Sequence, residues 1–427
     1  MKTLILGGGL AGLSLAHFYN GKTIILEKEK KIGGLCRSFE FNKIVHDIGP
    51  HIIFSKNQTV RDMLVSLTET NKIKRSNKIF HKSRFVKYPF ENELSALDDD
   101  ERDYCLTEFL NNPYENYHAD NMQQFFLKTF GEGITNTYLG PYNEKIWKFD
   151  PSFMDLQMVG RIPKPPKEDI IKSAKGISTE GYTHQLYFDY PKEGGIQKLI
   201  TAYTNLIKEK SIIESSIKIN RIYKQNNEWI IDTDRNDFIT KTLINCMPIH
   251  ELVKYLEEVP DNVLDAVNNL KYNSIHIVII QAKKDNIGDN FALYFADKNI
   301  IFHRISKLNF LGENYCLKNN GSTILAEITF RPNSYLANLK NNEIPKKVID
   351  DLHNLKLVSQ DQIIDVDIKT FEYAYVIYDI DHRKNIDFVL NYLKNLGIYS
   401  CGRFAEFEYL NMDQIIEHSF ELAKELI

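Results

Sequence analysis

The chain opens with a pattern that few folds accommodate. Thr3-Leu4-Ile5-Leu6 is a short apolar run, followed at once by Gly7-Gly8-Gly9-Leu10-Ala11-Gly12. Leu13, Leu15, Ala16 and Phe18 continue at helical spacing, Thr23-Ile24-Ile25-Leu26 restarts a buried strand, and Glu27 closes it. The order strand, glycine turn, helix, strand and acid predicts a βαβ unit that holds a dinucleotide. Gly7 permits the tight turn, Gly9 lets the backbone approach a pyrophosphate, and Gly12 lets the helix pack closely on the sheet. Leu10 and Ala11 start the helix, whose free N–H groups favour phosphate. Glu27 stands where a carboxylate accepts hydrogen bonds from an adenosine ribose.

A second glycine pair narrows the dinucleotide. Glu27-Lys28 leads to Gly33-Gly34-Leu35-Cys36-Arg37, then to His46-Asp47-Ile48-Gly49-Pro50-His51-Ile52. NAD-specific units normally continue with an ordinary helix at this point. Another stretch of backbone able to touch the phosphates points instead to FAD. Gly7, Gly9, Leu10, Ala11, Gly12, Glu27, Lys28, Gly34 and Leu35 are the expected cofactor contacts in this opening unit.

Composition bounds the remaining possibilities. At 427 residues the chain exceeds one small module, and domains of about 100–200 residues imply two or three lobes. Lys and Arg total 53 against 57 Asp and Glu, a net charge of −4. That balance argues against a protein built to coat nucleic acid or an anionic membrane, while leaving room for local arginines around an anion. No apolar run is long enough to span a membrane. Lys2 and the first apolar residues imitate a signal peptide, but glycines interrupt the stretch. The five cysteines are scattered without a CxxC pair, so neither a disulfide framework nor a zinc site is expected, and a reducing cytoplasm is the simplest compartment.

Further along, Leu106, Phe109, Leu110, Phe125, Phe126 and Phe130 recur at helical spacing between about 93 and 147. The acidic run Asp98–Glu101 reads as a solvated helix start. Ile162-Pro163-Lys164-Pro165-Pro166-Lys167 is a stiff connector. Tyr187 to Gly195 reads as an aromatic-to-glycine turn leading into a helix at about 196–209. Ile217–Tyr223 and Trp229–Thr233 form a hairpin around Asn226-Asn227. Strands are expected at Ile275–Gln281, Phe291–Phe295, Ile300–Arg304 and Thr323–Phe330, in an antiparallel sheet. An amphipathic helix closes the chain from Met412. The expected fold is α/β, with a discontinuous Rossmann-like FAD lobe (1–90, 188–270 and 385–427), an inserted helical lobe (91–187) and an antiparallel sheet lobe (271–384) that holds substrate.

Four segments together carry a family likeness: Gly49-Pro50-His51-Ile52-Ile53-Phe54, Pro141-Tyr142-Asn143-Glu144-Lys145-Ile146-Trp147, Arg161-Ile162-Pro163, and the tail Gly402-Arg403 to Tyr409-Leu410-Asn411-Met412-Asp413. In this order they resemble UDP-galactopyranose mutases, within the wider flavin group that includes protoporphyrinogen and amine oxidases. Two departures stand out. Asn411 occupies a position where the mutases usually carry Asp, and the proline-rich Lys164–Lys167 connector is unlike the best-known members.

The resemblance implies interconversion of the pyranose and furanose forms of a UDP-hexose, by attack of reduced flavin N5 on the anomeric carbon with no net redox change, in the supply of surface-glycan precursors. Arg161 and Arg304 are then expected on the diphosphate, Tyr375 and Tyr409 closing over it, and Trp147 along the nucleotide pocket. His51, Ile52 and Ile217 are expected beside the flavin cofactor, Arg403 against the isoalloxazine, and Asn411-Met412 opening the last helix toward the pyrimidine ring. Arg304→Ala is expected to depress turnover far more than folding. A redox flavoenzyme of the amine oxidase or protoporphyrinogen oxidase type is the alternative, and a non-catalytic flavin protein the second. The nucleotide base, the electron donor and the oligomeric state stay open.

Overall fold

The computed structural model describes residues 2–162, 164–180, 186–340 and 342–426, with the side chain of Arg161 outside the described part. The opening unit forms as the sequence predicts. Thr3–Leu6 is fully buried and pairs in parallel with Thr23–Leu26, with helix Leu10–Phe18 between them. These strands belong to a five-stranded parallel sheet in the order 398–400, 243–245, 3–6, 23–26, 211–214. The closing helix, Met412–Glu425, packs on helix Leu10–Phe18, where Ser14 donates to Ser419 at 2.8 Å. On another flank lies helix Gln197–Ile207, inside the span expected for it.

The predicted hairpin is present, with strands Ile219–Gln225 and Glu228–Thr233 turning through Asn226 and Asn227 at φ +49° and +63°. It starts two residues later than the alternation indicates, because the N–H of Ile217 donates to the carbonyl of Glu27 at 3.0 Å instead of joining the ladder.

The second sheet has seven strands in the order 363–376, 272–282, 322–330, 304–307, 292–294, 77–81, 84–87. It is antiparallel apart from one parallel pair, Ala292–Tyr294 with Asn77–Ile79. Strands Asn77–His81 and Arg84–Lys87, in the segment placed with the first lobe by sequence, hydrogen-bond into this sheet. The strand expected at Ile300–Arg304 begins only at Arg304. Asp297 closes a turn by accepting from the N–H groups of Asn299 and Ile300, which takes Ile300 out of the ladder. The longest strand, Ile363–Val376, escapes the sequence pattern altogether. It is an edge strand carrying Asp365, Asp367, Lys369 and Glu372, charges that suit an open edge and hide the β signal. Tyr187–Pro191, read from sequence as a turn, is a strand paired antiparallel with Thr70–Lys74.

Helices Asp99–Leu110, Met122–Ile134 and Gly140–Trp147 fill the expected helical stretch. Asp98 is the N-cap residue of the first, in line with the solvated start predicted there. Gly131 breaks the second with φ +72°. Beyond the connector, Lys167–Ala174 adds a short helix. All five cysteines are free thiols, and among the described residues no helix is long and apolar enough to cross a membrane.

Candidate functional site

The glycine loop is built for a close approach. Gly7 sits at φ +108°, and a methyl on Gly12 would stand 2.1 Å from the Gly7 carbonyl. Gly9 bridges to Gly33, whose N–H donates to Gly8 at 2.9 Å, so two glycine loops face each other. Helix Leu10–Phe18 has neither a side-chain cap nor an acid in its first turn. Its leading N–H groups therefore lack intrahelical acceptors, the arrangement that receives phosphate. The Glu27 carboxylate is fixed by the N–H groups of Gly8 and Glu29, both at 2.9 Å. Each oxygen keeps a lone pair for a ribose hydroxyl. Lys28 is exposed at this end, and Ile217 is buried against the Glu27 backbone.

One residue past Gly34, Leu35 begins a cavity of about 760 Å³. His51, Ile52, Arg304 and Tyr375 line it from the sheet side, and Arg403, Tyr409, Asn411 and Met412 from the C-terminal tail. Sequence reasoning thus selected residues hundreds of positions apart that fold onto one space. Gly160 also lines it, while the side chain of its neighbour Arg161 lies outside the described residues.

Arg304 does not stand alone. Its Nε and Nη2 donate to the two carboxylate oxygens of Glu327, each at 2.6 Å. Gly49, at φ +72°, passes so close that a methyl there would lie 3.1 Å from Glu327 Oε2. The Gly-Pro-His segment is thereby pressed against the ion pair. Glu327 was not among the residues the sequence singled out. The available signal is a lone carboxylate in the otherwise apolar and hydroxyl-bearing run Ser322–Phe330, buried along its whole length.

His51 Nδ1 is buried without a hydrogen-bond partner. Burial first, then the charges of Arg403 and Arg304, pull its pKa down to about 4, so the ring is neutral near pH 7. Arg403 spends its guanidinium on the backbone: two bonds to the Leu410 carbonyl at 2.8 and 2.6 Å, one to Ala374 at 3.2 Å. It also lies 4.8 Å over the Tyr409 ring. Tyr375 and Tyr409 stack at 5.7 Å, and Trp147 meets both edge-on from behind. The indole N–H donates to Asn143 at 3.0 Å, which fixes that edge. Burial raises the pKa of Tyr375, keeping its phenol protonated as a donor.

The last helix opens on the cavity. Gln414 reaches back to the N–H of Asn411 at 3.0 Å, the return half of a capping box. Asp413 lies in the first turn and faces the same space, with one carboxylate oxygen buried and unpartnered. No cluster of metal-ligating side chains occurs among the described residues.

A glycine cradle before an uncapped helix, leading into a lined cavity, marks a Rossmann-like nucleotide-binding domain, and the model of the NAD(P)-binding Rossmann-like domain matches residues 5–67. In sequence and in fold the chain resembles UDP-galactopyranose mutases. It is 23% identical to the UDP-galactopyranose mutase of Mycoplasma pneumoniae over 64% of this chain and 66% of that one. It is 25% identical to the dTDP-fucopyranose mutase of Escherichia coli over 43% of this chain and 52% of that one. The chain thus spans less than two thirds of the length of these curated relatives. A solved structure of reduced UDP-galactopyranose mutase superposes with a TM-score of 0.89 at 22% identity, covering 100% of this chain and 95% of the other.

Proposed function

We propose that this chain binds FAD and interconverts the pyranose and furanose forms of a UDP-hexose without net redox change. The observation that carries the reading is the Arg304 guanidinium, which faces the cavity beside His51, Tyr375 and Tyr409. The opposed glycine loops and the uncapped helix start fit a flavin dinucleotide, with Glu27 at the ribose and His51, Arg403 and Met412 toward the ring. Reduced FAD held there would supply an electron-rich ring nitrogen for the anomeric carbon.

The leaving diphosphate is a weak base, with a last pKa of roughly 6–7 by analogy with phosphate monoesters. It needs its charge met more than it needs a strong acid. The clasp with Glu327 occupies Nε and Nη2 of Arg304, leaving the Nη1 edge to donate to a phosphate oxygen. The phenols of Tyr375 and Tyr409 add donors without adding charge. Arg403 holds Leu410 and Ala374 in place, and through them both tyrosines. The helix that starts at Met412 directs its positive end at the cavity and favours an anionic ring, a tendency that Asp413 in the first turn moderates. His51, neutral near pH 7, acts by shape and by a hydrogen bond at Nδ1.

An oxidase-type flavoenzyme needs a largely apolar pocket, and an arginine–glutamate pair in the cavity wall speaks against it. The test is anaerobic incubation of oxidised and dithionite-reduced protein with UDP-galactose, followed by analysis for the furanose. Furanose from the reduced form alone, without stoichiometric consumption of reduced flavin, is expected. No furanose from either form, or rapid flavin-coupled oxidation of an amine or porphyrinogen, would overturn the reading.

A further inference from the structure

The segment Pro141–Trp147 has a second face that the proposed reaction does not use. There Lys145 and Lys148 line a depression of about 360 Å³, together with Glu144, Phe149, Asp150 and Lys298. The acids are already engaged. Glu144 pairs with Lys298 at 2.7 Å. Asp150 accepts from the N–H and hydroxyl of Ser152, both at 2.8 Å. Nearby, Asp297 and Asp351 accept from the N–H groups of Asn299 and Ile301, and Lys271 is paired with Asp379.

Two lysines of the depression are left without a carboxylate in contact. Lys145 is 4% exposed and donates once, to the Asp297 carbonyl at 2.6 Å, leaving two N–H groups unspent. Among the described residues neither Lys145 nor Lys148 has a carboxylate partner, and the same holds for Arg331, whose guanidinium lies 6.0 Å over the Phe149 ring. Behind them His303 is 1% exposed with both ring nitrogens unpartnered. Lys145 is the buried one of these cations, while Lys148 and Arg331 are half-buried; the carboxylates of Asp297 and Asp351 act on Lys145 without forming an ion pair with it. Lys148 is also held at φ +51°, a left-handed conformation that costs a lysine about 1 kcal/mol relative to glycine.

We propose that this depression is a phosphoryl-anion site, in which Lys145 and Lys148 hold the anion beside the Phe149 ring. The site is separate from the cavity at Arg304 and is independent of the mutase reading. Burial first, then the charge of Lys148, pull the pKa of Lys145 down to about 7, against the opposing carboxylates of Asp297 and Asp351. An anion stabilises the ammonium form, so binding above neutrality draws a proton from solution.

Calorimetric titration of the full chain with inorganic phosphate, at constant ionic strength and with no nucleotide sugar present, tests the proposal. The informative variant is Lys148→Gly, since glycine suits the left-handed position and the backbone is retained. Saturable binding is expected, with proton uptake seen by comparing buffers of different ionisation heat. Binding should weaken at least tenfold in Lys148→Gly and change less than twofold in Arg304→Lys. Equal binding by Lys148→Gly and the parent chain, loss in Arg304→Lys instead, or no saturable binding at all overturns it. Competition by UDP that disappears in Arg304→Lys would likewise place the phosphate in the nucleotide cavity and sink the second site.

Discussion

Arg304 and Glu327 are register partners on neighbouring antiparallel strands, and their side chains close a two-point ion pair. The carboxylate is 1% exposed and the guanidinium 25%, so the anion is hidden and the cation presented. Arg304→Ala therefore does more than remove a ligand. It leaves a buried charge unmatched, a defect that costs about 3–5 kcal/mol, and the variant should melt well below the parent. The sequence-based expectation that this change spares folding is replaced by that one. Arg304→Lys keeps the charge and loses the planar fork. It should stay folded while UDP affinity, measured by calorimetry, falls about tenfold or more for the lost charge-assisted bond. Unaltered affinity would remove Arg304 from the diphosphate.

The glycine loop makes a sharper claim. A methyl at Gly12 meets the Gly7 carbonyl at 2.1 Å, whereas a methyl at Gly160 meets nothing within 4 Å. Gly12→Ala should be purified with little or no flavin, read as flavin absorbance per mole of protein, and Gly160→Ala with the parent amount. Full flavin content in Gly12→Ala contradicts the proposed cofactor site.

Only two tryptophans are present, and they report on different places. Trp147 stands edge-on to Tyr375 and Tyr409, while Trp229 lies in the hairpin strand Glu228–Thr233. Adding UDP should change the intrinsic fluorescence of the parent chain. Trp229→Phe should keep that change and Trp147→Phe should lose most of it. The opposite pattern would move the nucleotide away from this cluster.

What the sequence made legible follows from how local each signal is. The first βαβ unit is written in consecutive residues, so its strands and glycine roles could be read without tertiary information. The cavity residues His51, Arg403 and Tyr409 were reached through motif order, and Tyr375 through the family resemblance alone, because nothing local brings position 51 beside position 403. Glu327 went unnoticed because its role arises from cross-strand register, which exists only once the sheet has formed. Ile363–Val376 was missed for a related reason: an edge strand tolerates charges that erase the apolar alternation. Tyr187–Pro191 carries aromatics on both sides of Asp189 without a clean alternation, and Gly194-Gly195 just after it made a turn the stronger local reading until its partner Thr70–Lys74 was known.

Glu91 offers a test of stability rather than function. It is 1% exposed, with Oε2 unpartnered, and burial pushes its pKa from 4.5 up to about 7. A carboxyl whose folded pKa lies above its unfolded value binds its proton more tightly in the native state. Its stabilising contribution is thus complete below pH 4.5 and is lost as pH rises through about 7, a loss on the order of 3 kcal/mol. His46, His51 and His250, each pulled by burial to about 4, act with the opposite sign over an overlapping range. The parent chain's own pH profile is therefore a sum in which Glu91 is hard to see. Comparing Glu91→Gln with the parent cancels the histidines, since Gln does not titrate. The melting temperature of the variant relative to the parent should rise steadily between pH 4.5 and 7 and then level off. A difference that stays constant across that range would mean that Glu91 ionises normally in the folded chain.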